Sequence, residues 1–261
     1  MLDAHLIQAF VVSLPSASWR RTNISDCLKG QISFEFVDAI PGNALMGRDQ
    51  DYCPQRFCPR YFRDLTLNEI ACSLSHRNAL CKFLESDAKY GLILEDDAHI
   101  DRQNFQKLHD VITNFGGFDI LKLGGKGNHV SRGVVQKDCN GTVVVAAVKF
   151  GLGAHAYVVS RSAAEKIANT IIPIRDPYDA FLSNAYVHKC NIFETSPWLV
   201  ALQPKFTRGA AGANSQKHEK ATLKHNLAGM AFYLKYNTMR RVFNLRRFGL
   251  SYITKSGFTK N

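Results

Sequence analysis

Three consecutive acids, Glu95-Asp96-Asp97, directly follow the apolar run Leu92-Ile93-Leu94. A strand buried between helices delivers its last residues to the C-terminal edge of an α/β sheet, where open sheets of this kind gather ligands. Adjacent carboxylates repel unless they are solvated or share a cation, and their oxygens suit hard divalent ions such as Mg²⁺ and Mn²⁺. The triplet is therefore a candidate metal site. One or two carboxylates on such an ion, with phosphate oxygens at its other positions, can hold a nucleotide-diphosphate leaving group. The competing reading is an acidic turn that caps the next helix.

Other groups with chemical capacity are dispersed. Asp176 and Asp179 stand three apart at a helix start, where the first reads as an N-cap and the second as an acid favoured by the helix dipole. Either, and Asp179 before Asp176, is a candidate general base. Glu69 is a third candidate, although a capping box with Thr66 also explains it. His76 lies one turn inside that helix and His155 in a strand, and a lone histidine in such elements reads as a satisfied core residue. The chain has no Gly-x-x-x-x-Gly-Lys-[ST], no Gly-x-Gly-x-x-Gly after a strand and no Gly-x-Ser-x-Gly, so phosphate-loop, dinucleotide and nucleophile-elbow chemistry is excluded. Phosphate charge would have to be met by metal and by Arg20, Arg21 or Lys122.

The elements that position these residues alternate in type. Leu6–Ser13, Ser33–Asp38, Tyr90–Leu94, Phe118–Leu123, Val143–Lys149 and Ala154–Ser160 read as strands. Helices are expected from a cap at Ser16 or Ser18 to Gly30, from Thr66 past Leu84, from Ser162 through Ala168, and from Asp176-Pro177 to about Val187. The alternation predicts an α/β fold with a mostly parallel sheet, and the hairpin-like pair at 143–160 suggests that part of it is antiparallel. Pro41–Asp64 reads as a long irregular loop of the kind that carries function. Residues 203–220 read as a linker or flap. Leu223–Phe248 has helical spacing, with Leu227, Met230, Ala231, Leu234, Thr238, Val242 and Leu245 sharing a face that either lies in lipid or packs on the body, packing being favoured because Asn237 and Thr238 interrupt it.

The 261 residues carry 33 Lys plus Arg and 22 Asp plus Glu, a net charge of +11. Residues 1–200 balance at 21 of each sign, and residues 201–261 hold 12 basic side chains and one acid, Glu219, so the whole surplus lies in the tail. A basic tail on a neutral body points to an anionic partner. Seven scattered cysteines, an odd number, fit a reducing compartment. The pair Cys53-x4-Cys58 lacks the second pair or nearby histidine that a zinc site needs. No apolar run approaches the ~20 residues of a membrane span. The N-terminus has Asp3 where an export signal needs positive charge, so export is not expected.

Several segments, taken in order, resemble glycosyltransferase family 25. They are Val11-Val12-Ser13-Leu14 with Arg20-Arg21, Phe36-Val-Asp-Ala-Ile-Pro-Gly42, Leu65-Thr-Leu-Asn-Glu-Ile-Ala-Cys-Ser-Leu-Ser-His76, Leu92-Ile-Leu-Glu-Asp-Asp97, Phe118-Asp-Ile-Leu-Lys-Leu-Gly124, Gly153-Ala-His-Ala-Tyr-Val-Val-Ser160 and Asp176-Pro-Tyr-Asp-Ala-Phe-Leu182. The likeness covers about residues 6–205. The family contains lipooligosaccharide galactosyltransferases of Gram-negative bacteria and collagen galactosyltransferases.

The resemblance implies a GT-A-type nucleotide-sugar-binding fold over residues 1–205; it does not cover residues 206–261, which charge and spacing read as a basic helical extension. It implies a UDP-sugar donor, most often UDP-galactose, a divalent metal (Mn²⁺ or Mg²⁺) and inversion to a β-linkage. Asp97 and Glu95 then take the metal. Ser13, Leu14, Arg20, Asp38, Glu95, Asp96, Lys122 and His76 take the donor, and Asp179, Asp176 and Glu69 are the catalytic acids. Ser13 stands where the family usually has Asn, and Asn68 and Ala71 where glycines are common. The acceptor implied is a lipid-linked oligosaccharide at an anionic membrane, met by the basic tail from the cytoplasmic face of the inner membrane. Competing readings are a metal-dependent UDP-sugar hydrolase and a basic nucleic-acid-binding protein; the neutral body and its acidic motif argue against nucleic acid.

Overall fold

The structure is a computed structural model that describes residues 2–58, 60–61, 63–125, 133–147, 152–203 and 223–249. Its strands are β1 (Ile7–Ser13), β2 (Phe34–Asp38), β3 (Phe57–Cys58), β4 (Arg63–Asp64), β5 (Tyr90–Glu95), β6 (Ala98–His99), β7 (Ile120–Lys122), β8 (Gly133–Cys139), β9 (Thr142–Ala147), β10 (Ala156–Ser160), β11 (Ile192–Ser196) and β12 (Ala201–Leu202). Its helices are α1 (Ser18–Leu28), α2 (Asp49–Tyr52), α3 (Leu67–Glu85), α4 (Arg102–Phe115), α5 (Arg161–Thr170), α6 (Tyr178–Leu182), α7 (Ala185–His188) and α8 (Leu223–Phe248).

Eight strands form one sheet in the order β2-β1-β5-β10-β7-β11-β9-β8. β1 runs parallel to β2 and β5, and β7 parallel to β11. β10 is antiparallel to β5 and β7, and β9 to β11 and β8. Only β9 and β10 oppose the common direction, so the α/β class and the mostly parallel sheet predicted from the alternation are what the chain adopts. β1, β5 and β10 read as nearly continuous apolar runs because both sheet faces are covered. Alternation along β5 sends Leu92 and Leu94 to the core under α1 and α4, and Ile93 to the core under α3 and α5. Gly91 passes directly beneath Phe83 of α3; a Cβ there would lie 2.6 Å from the ring.

The structure corrects several local expectations. β9 and β10 are both antiparallel to their neighbours, as the pair at 143–160 suggests, but they do not pair with each other: β7 and β11 lie between them, and β8 turns through Asn140-Gly141 into β9. α1 is capped at Ala17 with no side-chain bond from Ser16 or Ser18. α5 is capped by Ser160, whose side chain accepts from the Ala163 amide, rather than by Ser162. The helix expected over 176–187 is two short helices parted at Ser183-Asn184, and Pro177 rather than Asp176 occupies the cap. Within 41–64 the chain forms a 3₁₀ turn (Gly42–Leu45), α2 and the β3–β4 ladder. That segment is ordered by a third apolar cluster of Leu45, Cys53, Cys58, Leu65, Ile70 and Ile174. The linker expected at 203–220 lies, beyond Gln203, outside the described residues.

α8 spans the predicted range but presents the other side to the body. Tyr236 meets the Tyr186 ring at 5.8 Å, Arg60 lies 4.3 Å above the Tyr236 ring, and Arg247 lies 4.6 Å above Phe193. The Leu227–Leu245 side, expected to pack, faces away. Among the described residues no helix is long and apolar enough to cross a membrane.

Candidate active site

The C-terminal ends of β2, β1 and β5, the α1 start and the α3 interior converge at one edge of the sheet. β5 hands the three acids to this edge in different states. Asp96 is buried and neutralised: it accepts a 2.7 Å hydrogen bond from the Ser13 hydroxyl and pairs with Arg20 at 3.1 Å. Arg21 donates to the Ser13 carbonyl at 2.9 Å and closes an ion pair with Asp38. Beside them a cavity of about 450 Å³ is lined by Leu14, Pro41, Asn43, Met46, Thr66 and Asn68. Ser13, Leu14, Arg20, Asp38 and Asp96, all expected on the donor, are thus brought together.

Glu95 turns to the α3 side of the sheet, where its Oε1 lies 3.4 Å from His76 Nε2. α3 reaches this point because Thr66 and Glu69 form the predicted capping box. His76 is buried and lies flat on Tyr178, with ring centroids 4.1 Å apart and planes at 11°. Its Nδ1 is 3.3 Å from the Tyr157 hydroxyl, which is 2.7 Å from that of Tyr178. Burial pushes both phenols well above their ordinary range, so they remain neutral hydrogen-bonding groups. The preceding residue, Ser75, accepts from the Ile40 amide at 2.9 Å and so holds the segment after β2 against α3.

Asp97 has the least support of the three acids. Its Oδ1 is buried without a hydrogen-bond partner. Burial, then Glu95 and Asp96, push its carboxyl up to about 7, with Arg20 opposing. Among the described residues no group of three or more His, Cys, Asp or Glu side chains is spaced to hold a metal ion. A magnesium-like ion needs only one or two carboxylates when phosphate oxygens complete its shell. An orphaned acidic oxygen whose charge is opposed by its neighbours is the electrostatic complement of such a cation, so Asp97, with Glu95, fits the group.

The catalytic candidates separate. Asp179 lies in the first turn of α6, where its charge is felt by Tyr61, Lys122 and Cys72. Asp176 is held by Arg60 at 3.4 Å and by the Cys58 thiol at 3.4 Å, and is not a cap. Glu69 binds Arg63 through both oxygens (2.8 and 2.5 Å) and the Thr66 amide at 2.9 Å. Burial alone would raise its carboxyl, but Arg63 and Thr66 outweigh it and hold it below the ordinary range. That engagement fits a structural acid. Lys122 is fully buried, donating to Ser183 at 3.2 Å and lying 3.9 Å from Glu194. Burial lowers its ammonium, with Glu194 and Asp179 opposing, so it braces the α6–α7 junction rather than standing at the surface to meet phosphate.

Sequence reasoning passed over three side chains. Tyr157 and Tyr178 frame His76. Cys72, on α3, presents surface to solvent, while crowding around its thiol, then Glu95, Asp179 and Glu69, push that thiol up. His155 reads from the sequence as a core residue, and it is buried, with the Val200 backbone beside its ring. It lies opposite Glu95, whose amide donates to its carbonyl at 2.9 Å. Gly124 faces that ring so closely that a Cβ would sit 2.2 Å from Nε2.

The model of glycosyltransferase family 25 (LPS biosynthesis protein) matches residues 6–182, which takes in the sheet edge and α6. The chain belongs to that family. Similar curated proteins include the probable inactive glycosyltransferase 25 family member 3 of Rattus norvegicus, 25% identical over 219 residues, covering 74% of this chain and 38% of that protein. Procollagen galactosyltransferase 1-A of Xenopus laevis is 25% identical over 190 residues, covering 69% of this chain and 31% of that protein. The chain therefore spans well under half the length of these relatives. Among solved structures, A197 from STIV has a TM-score of 0.39 at 16% identity over 76% of this chain and 94% of that one. S. aureus TarS 1-349 has a TM-score of 0.39 at 13% identity over 72% and 57%.

Proposed function

We propose that the chain is an inverting glycosyltransferase that moves a hexose, galactose in the first instance, from a UDP-sugar to a hydroxyl of a lipid-linked oligosaccharide. The observation that carries this reading is the buried, unpartnered Asp97 oxygen at the end of β5, beside a cavity edged by Leu14 and next to Ser13, Arg20 and Asp96.

In this reading the nucleoside end of the donor lies in the cavity by Leu14 and the diphosphate approaches Asp97 and Glu95. A divalent ion held by those carboxylates would neutralise charge on the departing diphosphate, a contribution worth several kcal/mol in other enzymes. The rest is done by side chains. Asp179 accepts the proton of the acceptor hydroxyl as its oxygen attacks the anomeric carbon and the bond to UDP breaks on the opposite face, which inverts the centre. Base assistance of this kind is worth about 10²–10⁴-fold. His76, fixed between Tyr157 and Tyr178, holds Glu95 in place. The family's description as an LPS biosynthesis protein supports a lipid-linked acceptor, and the basic tail supports its presentation at an anionic membrane surface.

The test is a donor screen of UDP-Gal, UDP-Glc, UDP-GlcNAc and UDP-GalNAc against truncated lipooligosaccharide acceptors, with Mn²⁺ or EDTA. A new β-glycoside that needs Mn²⁺ is the expected product. Free sugar alone would assign a UDP-sugar hydrolase, and full activity in EDTA would remove the metal.

A further inference from the structure

The outward side of α8 is apolar and uncovered. Leu227, Met230, Leu234 and Leu245 are 60%, 60%, 67% and 47% exposed. With Val242 they recur at helical spacing along the side away from the body. Tyr236, Asn244 and Arg247 hold the other side in place: Asn244 is buried, and Arg247 reaches the Ile192 carbonyl at 3.3 Å. Lys235, Arg241 and Arg246 lie on or beside the apolar stripe, whereas Arg240 turns to the body side over the Tyr236 ring at 5.7 Å, and residues 223–248 contain six Lys or Arg and no acid.

We propose that α8 docks on an anionic lipid bilayer, its Leu227–Leu245 stripe entering the acyl boundary while the flanking cations meet phosphate headgroups. This deepens the membrane-presented acceptor of the function proposed above and rests on that reading. At 1.5 Å per residue the helix is about 39 Å long, and it lies flat, as basic amphipathic helices do at bilayer interfaces. Each cation near an anionic surface adds about fivefold in affinity. A second copy is the poorer occupant, because two-fold pairing would bring Lys235, Arg241 and Arg246 of each copy towards one another. Nucleic acid would satisfy the cations and leave the leucines in water.

Co-sedimentation of the full chain with vesicles tests the proposal. We expect binding to mixed phosphatidylglycerol–phosphatidylcholine vesicles, little to phosphatidylcholine alone, and loss at high salt. The exposed pair Leu227→Glu with Leu234→Glu should weaken binding at least about tenfold, since two buried leucines are exchanged for charges. Its circular dichroism and its transfer to a soluble truncated acceptor should be unchanged. Equal binding by the stripe variant, or no vesicle binding by the parent chain, overturns the proposal. So does a dimer in sedimentation velocity that Leu234→Glu abolishes, or nucleic-acid binding without vesicle binding. Vesicle binding by a chain that transfers no sugar would leave this proposal standing and remove the transferase reading.

Discussion

Asp96 and Asp97 are neighbours in the chain and opposites in environment. Asp96 is satisfied by Ser13 and Arg20, whereas Asp97 keeps a buried oxygen with no hydrogen-bond partner. The folded chain holds the Asp97 proton up to about pH 7, whereas an unfolded chain releases it near 3.8. Stability from this group is therefore present below the unfolded value and lost as the pH rises through 7. In EDTA, the melting temperature of the parent should fall across that window and that of Asp97→Asn should not. Mn²⁺ should bind with proton release, measurable by titration calorimetry in buffers of different ionisation enthalpy. An equal pH slope in both proteins would remove Asp97 from this role.

Asp179→Asn should lower turnover about 10²–10⁴-fold with little change in UDP-sugar affinity, because a base acts on the acceptor proton and not on the donor. Parallel single-turnover and donor-binding measurements separate the two. Unchanged turnover would move the base elsewhere.

Glu69→Ala should behave as a structural variant. It removes the capping box and the Arg63 pair, a loss of about 1–2 kcal/mol. Because the Glu69 carboxyl is held below its ordinary range, the stability it supplies is present above the unfolded pKa and lost as the pH falls through the folded value. Chemical denaturation at pH 7 and below pH 4 should show the difference between parent and variant shrinking with acidification. A turnover loss larger than the stability loss explains would restore Glu69 as a catalytic acid.

Lys122→Met should unfold more readily, by about 3–5 kcal/mol, because it strands the fully buried Glu194. The double variant Lys122→Met with Glu194→Leu should recover much of that loss. Recovery without restored diphosphate binding would instead return Lys122 to the donor site.

Gly124→Ala should disturb the cleft locally, since its Cβ would lie 2.2 Å from His155 Nε2 and 2.7 Å from the Val200 carbonyl. Overpacking of this kind costs about 1–3 kcal/mol. Thermal denaturation of Gly124→Ala, with and without His155→Ala to relieve the clash, checks the geometry.

What could be read from the sequence was what neighbours in the chain decide. β1 and β5 are announced by continuous apolar runs, the α3 start by Thr66 and Glu69, and the α8 limits by spacing alone. The acidic triplet was legible because a strand ends where its side chains must emerge. What escaped depends on partners far along the chain. Lys122 looks like a phosphate ligand until Glu194, 72 residues on, is seen beside it. Nothing near His155 in the chain announces that its ring packs on Gly124. β11 pairs with β9 and β7 and not with its neighbours in sequence. The outward face of α8 was misassigned because apolar spacing marks a stripe and says nothing of which body, if any, lies against it.

β10 enters the sheet at the edge where β5 and β7 leave it. Gly153 and His155, on the incoming segment, thus stand level with Glu95 and Gly124 on outgoing ones. Chain can be spliced in ahead of a strand here as readily as behind one, leaving every rung of the ladder paired. Lineages sharing this frame have an extra place at which to reshape what they grasp without rebuilding what supports it.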